Sequence, residues 1–304
     1  MANRRTFNAQ ALSCNGVALR GLSRLTFTAR YRNVIRSRLD GAAGTQDVNR
    51  TGLSVDVSIE TSDVTKVLDA LAATPGNTTF HVKESGTADW HHYTVTGIVL
   101  TGMRMTLNHT AHATMTLTGR VRFASGVSTL NNVLSVTSID TTPPTLAYPV
   151  RLYRPHGLTF TPYGLPTYGP VHVQSVELSM DAVVHDDFGD LDIGITAVDV
   201  PGFNPMQVTV NHRDALIPGT LPSGTIAAAM ADEAHGLLNV TLKESTQDAN
   251  YDLAVENLLW TGMTENESEG YSEFTLNGEA GWRKVDGTTL NLNSDPKLFS
   301  IVAA

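Results

Sequence analysis

The sequence predicts a mainly β protein built from two tandem homologous units, each a β-sandwich or partly closed barrel with one helix. Three observations support this prediction: apolar and polar residues alternate in many short runs, the sequence contains an internal repeat, and each copy of the repeat has one amphipathic helical pattern. The chain has 304 residues, of which 41% are apolar and 17% are charged, so it is long enough to bury a core.

Strands are predicted where apolar residues occupy every second position. Leu53, Val55, Val57 and Ile59 form the longest such run. The same period occurs within 25–29, 80–82 and 115–121. Threonine is frequent at the intervening positions, and this β-branched residue favours strands further.

One helix is predicted in each unit. In the first, Ser62 or Asp63 caps DVTKVLDALAA, and Pro75 follows the last helical residue. In the second, Ser223 precedes GTIAAAMADEAHG, and Gly236 is the predicted stop.

The repeat consists of several matching segments that occur in the same order in both halves. The matches are FHVKES at 80–85 with VTLKES at 240–245, GIVLTGM at 97–103 with NLLWTGM at 257–263, and SVDVSIE at 54–60 with PMQVTVN at 205–211. Chance does not supply several ordered matches with consistent spacing, so the sequence predicts a duplication.

The repeat predicts the domain organisation. The predicted segments are an N-terminal arm at 1–19, a first unit at 20–124, an extended linker at 125–170, a second unit at 171–284 and a C-terminal arm at 285–304. The linker holds seven of the 13 prolines, which excludes a helix or a central strand there.

Charge is distributed unevenly along the chain. Residues 1–125 hold 14 Lys/Arg and 8 Asp/Glu, for a net charge of +6, whereas residues 126–304 hold 7 and 22, for −15, which together give the overall −9. Two units that drifted to different surface compositions would explain this. Alternatively, each half attracts the opposite half of a neighbouring copy.

No catalytic, cofactor or metal site is predicted. Phosphate-binding, dinucleotide-binding, nucleophile-elbow and zinc-protease motifs are absent, and the lone Cys14 excludes a thiolate cluster. His109 and His112 have a spacing that places them on opposite faces of a strand, and the aspartates of 186–192 lack the order of a calcium loop. Membrane insertion is not expected either, because no segment has the apolar length to span a bilayer.

The order of elements resembles that of the tail-tube (major tail) proteins of long-tailed bacteriophages. The likeness lies in paired strands around a long loop, the helix DVTKVLDALAA, the strand FHVKES and the hairpin GIVLTGMRMTLNHTAHATMTLTGRVRF. Members of that family generally carry one such domain and form hexameric rings that stack into a hollow tube for DNA. Because this chain carries two units, the resemblance implies homotrimeric rings with six units in pseudo-sixfold order, located in the virion tail and assembled in the host cytoplasm. The implied partners are further copies of the chain, the terminator, distal-tail and tape-measure proteins, and DNA in transient, non-specific passage.

Two groups of residues are expected to make the contacts of such an assembly. Two long loops, at 35–52 and 185–204, would join successive rings through Arg36, Arg38, Asp40, Asp47, Arg50, Asp186, Asp187, Asp190, Asp192 and Asp199. Two hairpin tips would meet between units through Arg104, His109, His112, Glu265, Glu267, Glu269 and Glu273. Solvated loops and tips without a partner are the alternative. A net negative lumen would repel DNA phosphates.

Two other functions fit a β-rich chain. A carbohydrate-binding or adhesin-like double β-sandwich would need exposed aromatic side chains. The three tryptophans are Trp90, Trp260 and Trp282, and two of them occupy repeat-equivalent or core-like positions, which disfavours this function. A hydrolase on a β scaffold would need paired carboxylates or a nucleophile with its base, and the sequence shows neither.

Overall fold

The computed structural model confirms a mainly β protein. It describes residues 7–14, 16–19, 21–37, 46–64, 66, 70, 76–84, 90–123, 134–140, 152–169, 172–187, 194–214, 230–244, 250–268, 271–292 and 294–303. In these ranges sixteen strands are connected by antiparallel pairing.

The first eight strands come from the N-terminal half of the chain. They are β1 (Phe7–Cys14), β2 (Val17–Leu19), β3 (Leu22–Ser37), β4 (Gln46–Thr61), β5 (Gly76–Glu84), β6 (Trp90–Asn108), β7 (Ala111–Val121) and β8 (Leu134–Asp140).

The other eight strands follow in the C-terminal half. They are β9 (Tyr153–Pro162), β10 (His172–Asp187), β11 (Ala197–Phe203), β12 (Met206–Asp214), β13 (Gly236–Glu244), β14 (Asn250–Ser268), β15 (Tyr271–Ala280) and β16 (Phe299–Ala303).

Eight of these strands form a continuous band. Their order is β3–β4–β7–β6–β10–β12–β15–β14, with β11 beside the far end of β10. The predicted alternation is confirmed along β4, where Leu53, Val55, Val57 and Ile59 are all buried and the residues between them are half-buried. One face of the band therefore lies on the core and the other carries polar side chains.

The long strands β6 and β14 each leave the band partway along. The first part of β6 pairs with β5 and β8, and the first part of β14 pairs with β13 and β16. Both strands have a residue with positive φ at the change of partner, Gly97 at 70° and Asn257 at 57°. The Asn257 side chain supports its strained backbone by donating hydrogen bonds to the carbonyls of Gly281 and Arg283, at 3.0 and 2.9 Å.

The two arms and the linker contain strands, which differs from the extended segments that the sequence predicts. β1 and β2 lie in the segment 1–19, β8 and β9 in 125–170, and β16 in 285–304. β9 contains Pro155 and Pro162 and pairs only with β13 among the described strands, as expected for an edge strand, where a missing N–H costs least. The flanking segments are thus part of the sheet structure.

The predicted helices lie largely outside the described residues. At the first site, the Ala70 N–H donates to the carbonyl of Lys66 over 3.3 Å, which is the spacing of an α-helical turn. Ahead of it, the buried Thr61 hydroxyl accepts the Asp63 N–H at 3.0 Å, whereas the Ser62 hydroxyl donates to the carbonyl of Gly21. The rest of the predicted helix lies outside the described residues, so the cap at Ser62 or Asp63 stays a prediction.

Candidate functional site

The face of the band opposite the core is a continuous polar surface, which we call the polar face. Every second residue points to this side, and these residues follow one another from strand to strand by direct pairing. Its uncharged members include Thr26, Thr28, Ser58, Thr106, Thr116, Thr118, Ser175, Ser179, Thr209, Asn211, Thr264, Thr275 and Asn277. The Thr275 hydroxyl donates to Asn211 at 2.7 Å, and the Asn211 amide donates to Ser175 at 2.9 Å, so hydrogen bonds join neighbouring strands.

Charges on the polar face are nearly balanced. Its described members are the five cations Arg24, Arg30, Arg104, Arg120 and Arg213, and the six anions Asp56, Glu60, Glu177, Asp181, Glu273 and Glu279. Several form ion pairs, among them the guanidinium of Arg120 with Asp56 at 3.1 Å. The polar face therefore has no strong charge of either sign.

A seam between β6 and β10 joins the two halves of the band. Seven residue pairs run from Ser175 opposite Asn108 to Asp181 opposite Gly102. On the core side, six fully buried side chains meet along it: Met103, Met105, Leu107, Val176, Leu178 and Met180. On the polar face, Arg104 pairs with Glu177 across the seam. The seam thus resembles the interior of one domain.

Gly102 is required at this seam for close approach of the two strands. A Cβ atom there would lie 2.8 Å from the carbonyl oxygen of Met180, 2.8 Å from the carboxylate of Asp181 and 2.9 Å from the hydroxyl of Thr118. The residue in the same position of β14 is Gly262, where the nearest atoms to an added Cβ, in the Asn277 side chain, are 4.0 Å away. Gly262 therefore has open space where Gly102 has a neighbouring strand.

Both ends of the band are open. In the described part of the chain, β3 pairs with β4 alone, and residues 261–268 of β14 pair with β15 alone. β3 contains four arginines and no acidic residue, whereas the open part of β14, residues 261–268, contains Glu265 and Glu267 and no basic residue. The two open edges thus have opposite charge.

The described parts of the predicted loops 35–52 and 185–204 are mostly strands, at 35–37, 46–52, 185–187 and 197–203, whereas 38–45 and 188–193 lie outside the described residues. Arg36 and Asp47 are paired positions of β3 and β4, and Arg50 lies opposite Asn33. Asp186 and Asp187 end β10, and Asp199 of β11 lies opposite His185. Arg38, Asp40, Asp190 and Asp192 lie outside the described residues.

Asp186 and its neighbourhood contact the first half of the chain. The Asp186 carboxylate pairs with Arg120 of β7. Ile195, which is buried, donates its N–H to the carbonyl of Leu53 at 3.3 Å and accepts the Phe123 N–H at 2.8 Å. The segment around 194–196 therefore holds the two halves together.

The predicted hairpin-tip residues make their described contacts within the chain. His109 bonds the carbonyl of Gln174 in the second half through its backbone N–H at 3.0 Å and its ring at 3.1 Å. Arg104 lies within β6, at the seam, and Glu273 pairs with Arg213 of the adjacent β12. The other tip residues are His112, half-buried; Glu265, exposed at the open edge of β14; Glu267, in β14; and Glu269, outside the described residues.

A polar cluster away from the band contains Tyr163, Glu256 and Lys284. The Tyr163 hydroxyl donates to the Glu256 carboxylate at 2.8 Å, and the Lys284 ammonium lies 2.9 Å from the same oxygen. Partial burial, followed by the bond to Glu256, raises the pKa of the Tyr163 phenol. The bond to Glu256 also raises the pKa of the Lys284 ammonium.

Both shifts predict a loss of stability at alkaline pH. The folded state favours the protonated form of each group. The resulting stabilisation of the fold is complete below the unfolded-state pKa values, near 10, and is lost as the pH rises through the higher folded-state pKa values. We expect the free energy of unfolding, measured with urea, to fall less between pH 9 and pH 11 in Tyr163→Phe than in the natural protein. Equal decreases in the two proteins would contradict the assignment.

Two of the three tryptophans have side chains that the structure describes, and neither is fully exposed. Trp260 is buried and packs against Phe160 with ring centroids 5.3 Å apart, and the Trp282 indole donates to the carbonyl of Asn204 at 3.1 Å. Among the described residues, no group of three or more His, Cys, Asp or Glu lies close enough to hold a metal ion. No helix of this part has the length and apolar composition needed to cross a membrane.

Sequence reasoning noticed the alternating threonines but missed that they form one surface across both halves. It also missed Arg120 and Glu177, whose ion pairs connect strands that are distant in the sequence. A scan against protein-family models finds no match for the chain, and a search of curated proteins finds none.

Proposed function

We propose that this chain is a structural virion protein whose copies join head to tail into closed rings, and that the rings stack into the hollow tail tube of a long-tailed bacteriophage. One observation carries the proposal: the two halves meet at an internal seam, and the band leaves two oppositely charged edges open at its ends. Copies of such a band join head to tail, because the open edge of β3 in one copy attracts the oppositely charged open edge of β14 in the next.

Duplication of one unit is part of the proposal, and the strand registers support it. β5 and β13 both have 9 residues, β6 and β14 both have 19, and β3 and β10 both have 16. The strands β1 and β8 flank β5 and β6 in the way that β9 and β16 flank β13 and β14. The repeating unit thus includes the arms and the linker, and three copies would supply six units for a ring.

The polar face supports the role of a channel wall. Hydroxyl and amide side chains with nearly balanced charge present no cationic surface to which DNA phosphates would adhere. We assign this face to the lumen and the core side of the band to the outer layer. The terminator, distal-tail and tape-measure proteins would then bind at the ends or inside the tube.

The contact between rings is assigned to the ribbon formed by residues 32–37 and 46–51. These residues of β3 and β4 pair with each other, while β7 pairs with β4 only at 56–61, so the ribbon extends beyond the band. The corresponding ribbon of β10 and β11 extends in the second half.

Gel filtration with negative-stain electron microscopy tests the proposal. We expect the purified protein to form rings with a central hole and long tubes at low ionic strength, and a variant lacking residues 37–50 to fold with rings but without tubes. Monomers alone at every protein concentration and salt would refute the proposed function. Normal tubes from the deletion variant would refute only the stacking assignment.

A further inference from the structure

The irregularities of the strands align the two halves residue by residue. Pairing shifts by one residue between Leu100 and Gly102 in β6, and between Trp260 and Gly262 in β14, so these strands correspond at a spacing of 160. The positive-φ residues Gly97 and Asn257 have the same spacing.

A second irregularity aligns the first strands of the band. Pairing of β3 with β4 shifts between Leu22 and Arg24, and pairing of β10 with β12 shifts between Val173 and Ser175. These strands therefore correspond at a spacing of 151. β10 and β6 pair with each other, so their counterparts β3 and β14 have edges of the same shape.

We infer that β3 of one copy pairs antiparallel with β14 of the next copy, in the register that β10 and β6 adopt inside the chain. Transferring the pairs of the internal seam places Thr28 opposite Thr264, Arg30 opposite Gly262 and Arg24 opposite Ser268. The inference rests on the proposed ring and names the strands and the register that close it.

Burial at the two edges agrees with this pairing. At the internal seam Val176, Leu178 and Met103 are fully buried, whereas their counterparts Leu25, Phe27 and Met263 are only partly buried in the single chain. A strand added at each edge would cover the exposed part of these side chains, as the seam does.

The charges favour pairing of unlike edges. Over the residues of the inferred register, two β3 edges facing each other would bring together Arg24 and Arg30 of both copies, and two β14 edges would bring together Glu265 and Glu267 of both copies. Glu265 stands opposite Phe27 in the inferred register, where the internal seam has the buried Met105. The contact between copies is thus less apolar than the seam. Because it also joins edges of opposite charge, whose attraction salt screens, it should weaken as the salt concentration rises.

Disulfide trapping tests the register. The variant Thr28→Cys/Thr264→Cys places two thiols at directly opposed positions, where the Cα atoms of an antiparallel pair are about 4.5–5.5 Å apart and can be bridged. Matched controls are Ala29→Cys/Thr264→Cys, whose side chains point to opposite faces, and Thr26→Cys/Thr264→Cys, which detects a slip of two residues. Cys14 is buried and stays in all variants.

Assembled protein is oxidised with copper phenanthroline and separated under non-reducing conditions. We expect the first variant to give a ladder of linked chains that ends at the ring size, with at least tenfold less linkage in both controls. Hydrogen exchange on the unmodified protein should slow in β3 and at 262–268 upon assembly. Rings in micrographs together with linkage only in a control, or unchanged exchange in both strands, would overturn the inference and leave the proposed function standing.

Discussion

Gly262→Val is expected to abolish ring and tube formation while leaving the single chain as stable as before. In the inferred contact Gly262 takes the place of Gly102, so a valine there would collide with the carbonyl of Ala29 in the next copy, the counterpart of Met180. In the free chain the added Cβ atom would have only the Asn277 side chain near it, at 4.0 Å, and it would not collide. Such a surface change alters the free energy of unfolding by no more than about 0.5 kcal/mol.

Two measurements check this expectation. Sedimentation velocity at low salt reports assembly, and urea unfolding of dilute, unassembled protein reports stability. Thr261→Ser, one residue away on an exposed position, keeps the hydroxyl that donates to the carbonyl of Asn277 at 3.3 Å and is the control, which should assemble normally. Tubes of normal appearance from Gly262→Val would show that this edge stays free in the assembly.

Gly102→Val is expected to destabilise the single chain itself. The valine would meet the backbone of Met180, which cannot move away without separating β6 from β10. Overpacking of this kind costs about 1–3 kcal/mol, and we expect the upper end because the side chains behind the seam are fully buried. Urea unfolding of both glycine variants under identical conditions provides the comparison. Equal stability of Gly102→Val and Gly262→Val would contradict the seam as described.

The sequence predicted those parts of the fold in which burial leaves a periodic pattern. Along β4 and β7 one face is buried, so every second residue is apolar and the strands are evident. The segments KES and TGM occur in the same order in both halves of the sequence, and they led to the prediction of a repeat.

Two strand segments were not recognised from the sequence, although β9 has the alternating burial of a strand, with Tyr153, Leu158 and Phe160 in the core. The ribbon at 32–37 and 46–51 extends beyond the band, so its sequence was interpreted as a loop. β9 contains prolines, which at a sheet edge are compatible with a strand, and its segment was interpreted as a linker. The polar face also depends on pairing between distant strands, which a single sequence does not reveal.

The covalent continuity of β6 and β10 has a consequence for how readily an assembly would form. The two strands reach each other within one molecule, so their effective concentration is set by the chain and is independent of dilution. Half of the contacts around a proposed ring are therefore already made when each chain folds. Only the contacts between chains would depend on the protein concentration. Assembly should therefore begin at a lower protein concentration than it would if each unit were a separate chain.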